Sequence, residues 1–169
     1  HGKARATRQS ATVRGLEGVA HINVAEVTAA VAELCKKANF ELGEDVLDAF
    51  KRALADELSL TGKDILQQLI ENARIAREEE VPMCQDTGFA VVFLEVGQEV
   101  HFTGGDLYAA VNEGVRRGYT EGYLRKSIVG HPFRRQNTGD NTPAIIHTQI
   151  VPGEQIRIRI APKGFGSEN

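Results

Sequence analysis

The feature that most constrains this chain is a change of hydrophobic period near residue 88. Before it, apolar residues recur at steps of three and four, the spacing of one helix face. After it they run densely or alternate, the spacing of strands. In residues 23–39 the apolar positions are Val24, Val27, Val31, Leu34, Cys35 and Ala38, and Asn23 with Glu26 forms a capping-box pattern at the start. A second helix is predicted over residues 44–58, with Val46, Leu47, Phe50 and Leu54 inward. A third starts at Thr61 with Asp64 and carries Ile65, Leu66, Leu69, Ile70 and Ala73 along its stripe to about Glu79. There Val81-Pro82 turns the chain out of helix, because proline disfavours helix in the residue before it.

Beyond Gly88, residues 89–96 are rich in β-branched and aromatic side chains and read as a buried strand, with residues 100–102 as its partner after the Gly97-Gln98 turn. Asp106 caps a helix through Leu107, Ala110, Val111 and Val115 that ends near Gly118. Residues 144–151 read as a strand, Pro152-Gly153 as a tight turn, and residues 155–160 as a strictly alternating strand; the last two strands are predicted to pair as a hairpin. Helices first, then strands around one helix, predicts an α+β fold: an N-terminal helical segment followed by a mixed or antiparallel sheet with a packed helix.

Composition narrows the function classes. With 169 residues, 41% hydrophobic, the chain can build one good core. A net charge of −3 gives no bulk attraction to nucleic acid or an anionic membrane, so neither is expected as partner. No apolar run approaches the roughly 20 residues that cross a bilayer. Two cysteines, Cys35 in an apolar helical pattern and Cys84 in a loop, do not make a disulfide framework, and free thiols suit a reducing, cytoplasmic setting. Residues 1–20 hold Lys3, Arg5, Arg8 and Arg14 against one acid, Glu17, and are set apart as a leader, tag remnant or disordered arm. Residues 21–169 form the predicted domain.

Three polar, glycine-containing segments lie at strand boundaries, where a scaffold can hold a functional loop. They are Cys84-Gln85-Asp86-Thr87-Gly88, Asn137-Thr138-Gly139-Asp140-Asn141-Thr142-Pro143, and Lys163-Gly164-Phe165-Gly166-Ser167-Glu168-Asn169. From its residue type Cys84 is a metal ligand, a nucleophile or a small buried hydrophobe. A nucleophile needs a base, and His147 is the candidate for that alternative. Asp86 reads either as a general base or as an Asx-turn former. The bland reading of Asn137, Thr138, Asp140 and Asn141 is turn formation through their own side-chain hydrogen bonds.

The string Val81-Pro82-Met83-Cys84-Gln85-Asp86-Thr87-Gly88 resembles the cluster-binding loop of the class I fumarase and L-tartrate dehydratase family. Residues 137–144 with His147, and then residues 163–169, follow in that family's order, so the similarity spans about residues 24–169. The resemblance implies a [4Fe–4S] cluster held by three cysteines, with one iron open to act as a Lewis acid on a small dicarboxylate substrate. The implied reaction is reversible hydration of fumarate to L-malate, or dehydration of L-tartrate to oxaloacetate. Cys84 matches the first cluster ligand; the family's other two lie beyond residue 169, and Cys35 matches neither. By itself the chain is therefore expected to hold no complete cluster and to be inactive, an isolated fragment or assembly subunit. A second (beta) subunit or C-terminal domain and a homo-oligomeric assembly are the implied partners. By the same resemblance Asp86 is the catalytic carboxylate beside the substrate. Gln85, Arg125 and Gly166 bind substrate, and Asn137, Thr138, Asp140, Asn141, His147 and Lys163 belong to the site loops.

Overall fold

The computed structural model describes residues 9–14 and 19–164. The elements run β1 (Gln9–Arg14), β2 (Ala20–Asn23), α1 (Val24–Phe40), α2 (Glu44–Asp56), α3 (Leu60–Glu79), β3 (Phe89–Gly97), β4 (Val100–Thr103), α4 (Leu107–Glu121), β5 (Ile145–Val151) and β6 (Gln155–Lys163). The fold is α+β, with one four-stranded mixed sheet ordered β1-β6-β3-β5 and a two-stranded sheet of β2 and β4. The segment set apart by its composition thus contributes β1, antiparallel to β6, and the buried Ala20 at the start of β2.

Of the four helices among the described residues, three start on a capping side chain, and α2 starts at Gly43 without one. Asn23 caps α1 by accepting from the Ala25 amide, 2.9 Å, one position short of the Glu26 amide that a capping box would use. Asp106 caps α4 by accepting from the Ala109 amide, 2.7 Å. For α3 the cap is Ser59, which accepts from Gly62, so the helix begins ahead of the expected Thr61. At its other end Glu80 adopts a left-handed conformation, and the chain leaves helix before Pro82 as the sequence predicts.

α1 buries ten of its seventeen residues, more than one stripe requires, because it packs on β6 with one face and along α4 with another. Val27, Val31, Leu34 and Cys35 join Val92, Leu94 and Val96 of β3, Ile156, Ile158 and Ile160 of β6, and Val111, Val115 and Tyr119 of α4 in one core. α2 and α3 behave differently. No residue of α2 is buried, and α3 buries only Ala73 and Ala76. The two pair with each other, leaving Ile65 and Leu69 of the expected inward stripe about half exposed.

Two strand pairings differ from expectation. β4 pairs not with β3 but with β2, in parallel, with His21 opposite His101. β5 and β6 do not form a hairpin: β3 lies between them, parallel to β5 and antiparallel to β6. The three linking residues suffice, because two strand spacings come to about 10 Å and each residue reaches up to about 3.5 Å. The link crosses the end of β3, where the Gln98 amide donates to the Val151 carbonyl (2.9 Å) and Glu99 to Gly153 (3.0 Å). Gly97 makes that crossing possible, since a Cβ there would stand 2.3 Å from the Gly153 oxygen. Among the described residues, no helix is long and apolar enough to cross a membrane.

Candidate active site

The Cys84 loop runs from the end of α3 to the start of β3 and is tied at both ends. The Met83 amide donates to the Asn39 carbonyl at the end of α1 (3.0 Å), and the Asn72 side chain of α3 donates to the Met83 carbonyl (2.9 Å). Just after these ties at Met83, Cys84 is exposed, and the Asp86 amide lies 3.4 Å from its sulfur. At the far end Gly88 has φ +58°, and a Cβ would fall 1.9 Å from the Lys163 carbonyl oxygen. Only glycine permits the start of β3 to press this closely on the end of β6.

Four of the sequence-predicted residues, Gln85, Asp86, Arg125 and Lys163, make contacts along this loop. Arg125 donates through Nη1 to Oε1 of Gln85, which places a guanidinium directly beside the residue that follows Cys84. Asp86 lies over Gly164: a Cβ on that glycine would stand 2.9 Å from Asp86 Oδ2. Lys163 turns its Nζ to the Gly164 carbonyl, 2.7 Å. Along this loop the exposed Cys84 is followed by Gln85, paired with the Arg125 guanidinium, and then by the half-buried Asp86 over Gly164. A planar guanidinium is suited to a carboxylate ligand. Gly166 lies outside the described residues.

The 137–143 loop supports this region from beneath. Asn141 is fully buried, with its Oδ1 accepting from the amides of Ser127 (2.7 Å) and Ile128 (3.3 Å) and its Nδ2 donating to the Gly88 carbonyl (3.0 Å). Asn137 donates to Lys126 O (2.9 Å) and accepts from the Gly139 amide (2.7 Å), while the Thr138 amide bonds Ile128 O (2.9 Å). Asp140 accepts from the Thr142 hydroxyl (2.7 Å), the Thr142 amide (3.0 Å) and Arg116 Nε (2.9 Å). Partial burial raises its carboxyl, but the Thr142 and Arg116 donors outweigh that and hold it at about 2. Asn137 and Asp140 thus make the turn-forming bonds of the bland reading.

His147 sits elsewhere. It is opposite Phe93 in the β3–β5 ladder, and the two rings stack at 5.2 Å. Phe93 is four residues along β3 from Phe89, roughly 13 Å at the rise of a strand. The geometry gives Cys84 no support as a nucleophile activated by His147.

Tyr119 and Thr87 were not singled out by sequence. Tyr119 OH donates to the Thr87 carbonyl (2.9 Å), and Thr87 Oγ1 donates to the Arg125 carbonyl (2.9 Å). Burial pushes the Tyr119 phenol strongly up, so it stays a donor. The stripe of Val111 and Val115 reaches Tyr119 at its next step, one residue past the expected helix end near Gly118, because α4 continues to Glu121.

The iron–sulfur cluster that the resemblance implies needs several thiolates, and the described residues offer few. Cys84 is exposed, but burial pushes the Cys35 thiol up to about 12, and a ligand must be a thiolate. Among the described residues no three His, Cys, Asp or Glu side chains converge as metal ligands. These residues fit one ligand position of such a cluster and no more.

A family model described as fumarate hydratase (fumerase) matches residues 28–169. The chain belongs to the class I fumarate hydratase and L-tartrate dehydratase alpha-subunit family. It is 37% identical over 150 residues to the "Putative L(+)-tartrate dehydratase subunit alpha" of Methanocaldococcus jannaschii, covering 85% of this chain and 52% of that protein. It is 32% identical over 170 residues to the aerobic class I fumarate hydratase of Escherichia coli K12, covering 96% of this chain and 30% of the other. With fumarate hydratase 2 of Leishmania major it shares 36% identity over 129 residues, or 75% and 22% of the two chains. The chain thus spans about half the length of the tartrate dehydratase subunit and under a third of the two fumarases. Membership assigns this chain to the class I hydro-lyases.

Proposed function

We propose that the complete protein is an iron–sulfur hydro-lyase that reversibly hydrates fumarate to L-malate, and that this chain supplies one wall of its active site. The observation that carries this reading is the Gln85–Arg125 contact beside the exposed Cys84. Arg125 and Gln85 bind one substrate carboxylate, with Arg125 providing charge-assisted donors and Gln85 fixing the fork's direction. Cys84 supplies one cluster thiolate. Asp86, pressed over Gly164, handles or orients the proton at the carbon next to the leaving hydroxyl. Lys163 and Gly164 bring backbone amides toward the anion, and Gly166 is a substrate-binding residue by the resemblance alone. Asn137, Thr138, Asp140 and Asn141 shape the wall, and His147 has no role in the reaction that its stack on Phe93 supports.

The rest of the site comes from a beta subunit or a further domain, a reading supported by relatives whose names call them alpha subunits. A homo-oligomer in the cytoplasm, serving the tricarboxylic acid cycle, completes the proposal. L-tartrate is the second substrate reading, favoured by the 37% identity to the M. jannaschii protein.

The test is anaerobic reconstitution of the complete enzyme with iron and sulfide, followed by assays of fumarate, L-malate and L-tartrate. Turnover of fumarate and malate above tartrate is expected. Preference for tartrate would transfer the assignment to the second reading, and a cluster-loaded enzyme that turns over none of the three would sink both.

A further inference from the structure

The Cys84 loop and the Arg125 segment are both irregular, and no strand ladder sets the gap between them. What joins them is buried and polar. Thr87 is 1% exposed, and Tyr119 and Asn141 are fully buried, yet each spends its polar atoms on backbone groups of these two segments. Thr87 Oγ1 reaches Arg125 O, Tyr119 OH reaches Thr87 O, and Asn141 links Gly88 O to the amides of Ser127 and Ile128. Asn141 does this at φ +62°, a left-handed conformation that asparagine tolerates better than most residues. A phenylalanine or valine would fill the same space with less desolvation cost. Fully satisfied polar networks instead define one arrangement, where apolar packing leaves neighbouring ones close in energy.

We propose that Thr87, Tyr119 and Asn141 form a buried bracket that positions Arg125 against Gln85, the residue after Cys84, and so fixes the carboxylate end of the substrate site. They are positioning residues, since all three lie under the loops rather than on the open surface. The proposal rests on reading Arg125 as the carboxylate-binding residue. Misplacement of such a group by about 1 Å is enough to cost up to ~100-fold in kcat/KM.

Near-isosteric variants test it. Thr87→Val keeps the shape and removes the hydroxyl, Thr87→Ser keeps the hydroxyl and removes a methyl, and Tyr119→Phe removes the other donor. In the complete enzyme, Thr87→Val and Tyr119→Phe should raise KM for the dicarboxylate about tenfold with kcat within about twofold, the signature of lost substrate binding. Thr87→Ser should stay near the parent. A purely structural role predicts no such split, because the folded fraction would keep its KM.

The second readout needs neither cluster nor turnover. In this chain the Ser127 and Ile128 amides, which donate to Asn141 Oδ1, should exchange hydrogen as the bracket opens, and the core amides of the β3–β6 ladder only as the whole domain opens. Thr87→Val and Tyr119→Phe should raise the ratio of the first rates to the second about threefold, by loosening the two segments without opening the domain, while Thr87→Ser leaves it unchanged. Parent-like ratios in both variants, or equal effects of valine and serine at position 87, would overturn the bracket. If the parent enzyme turns over no dicarboxylate, the functional reading fails on its own, and the exchange ratio still decides the bracket.

Discussion

Asp140 shows how a residue in a site-like loop can be spoken for by structure. Its two carboxylate oxygens are divided between Thr142 on one side and Arg116 of α4 on the other, and this ties the loop before β5 to the helix. Its carboxyl is held at about 2, below the ordinary 3.8, so between these values the unfolded chain binds the proton and the folded one does not. The stability it contributes is therefore present above about pH 4 and lost as pH falls toward 2. Asp140→Asn keeps an acceptor for Thr142 but loses the charge facing Arg116. At pH 7 it should cost about 1 kcal/mol, or roughly 3 °C in Tm for a domain of this size. Thermal melts of both proteins at pH 7, 4 and 2.5 should show the gap closing below pH 4. A gap that is constant across this range would mean that the pairing contributes nothing through charge. The residue types alone exposed Cys84 and Asp86 as candidates, and the family resemblance added Gln85 and Arg125. Neither revealed that Asp140 is occupied by Arg116, because that bond joins positions 24 residues apart in the chain.

At the scale of elements, α4 lies so close to α1 that glycines replace side chains at the contact. A Cβ on Gly114 would stand 2.6 Å from Val31 Cβ, and one on Gly118 would stand 2.7 Å from both the Ala32 oxygen and Cys35 Cβ. Two effects oppose each other in Gly118→Ala. Helix propensity alone would favour alanine by about 1 kcal/mol. Overpacking against backbone and a buried side chain, which cannot swing away, costs typically 1–3 kcal/mol. The steric effect should win because the nearest atoms belong to the α1 backbone and to a fully buried cysteine, so urea denaturation should show a net loss of about 1 kcal/mol or more. A stabilised variant would mean that α1 can shift at little cost. The same contact explains what the sequence could and could not convey. Periodicity located α1, α3, α4 and β3 because it depends only on near neighbours in the chain. It placed β5 and β6 in a hairpin and β4 against β3 because pairing depends on what else competes for a strand edge. β3, more than fifty residues earlier in sequence, takes the edge of both β5 and β6, and the Pro152-Gly153 turn looks the same in either arrangement.

For the whole molecule the question is how much of a cluster site one chain can assemble. Its sequence holds two cysteines. Cys35 is fully buried in the core beside Val31 and Tyr119, and its thiol is pushed up to about 12, so ionising it near neutral pH would mean placing an unpaired charge among apolar side chains. Bringing it out to meet iron would unpack α1 from α4. Cys84 meets the opposite conditions, exposed on a loop with the Asp86 amide near its sulfur. Anaerobic treatment of the 169-residue chain with iron and sulfide should therefore give far less than the four irons per chain of a complete cluster, which needs several thiolates at once. Whatever iron is retained should depend on one thiol: Cys84→Ser should abolish it and Cys35→Ala should leave it unchanged, apart from the stability lost with the cavity. Stoichiometric iron and sulfide that survives gel filtration would show that the chain recruits ligands its described residues do not present. Retention that vanished in Cys35→Ala but not in Cys84→Ser would put the ligand in the core, and with it would fall the reading of the loop that carries Gln85 and Asp86.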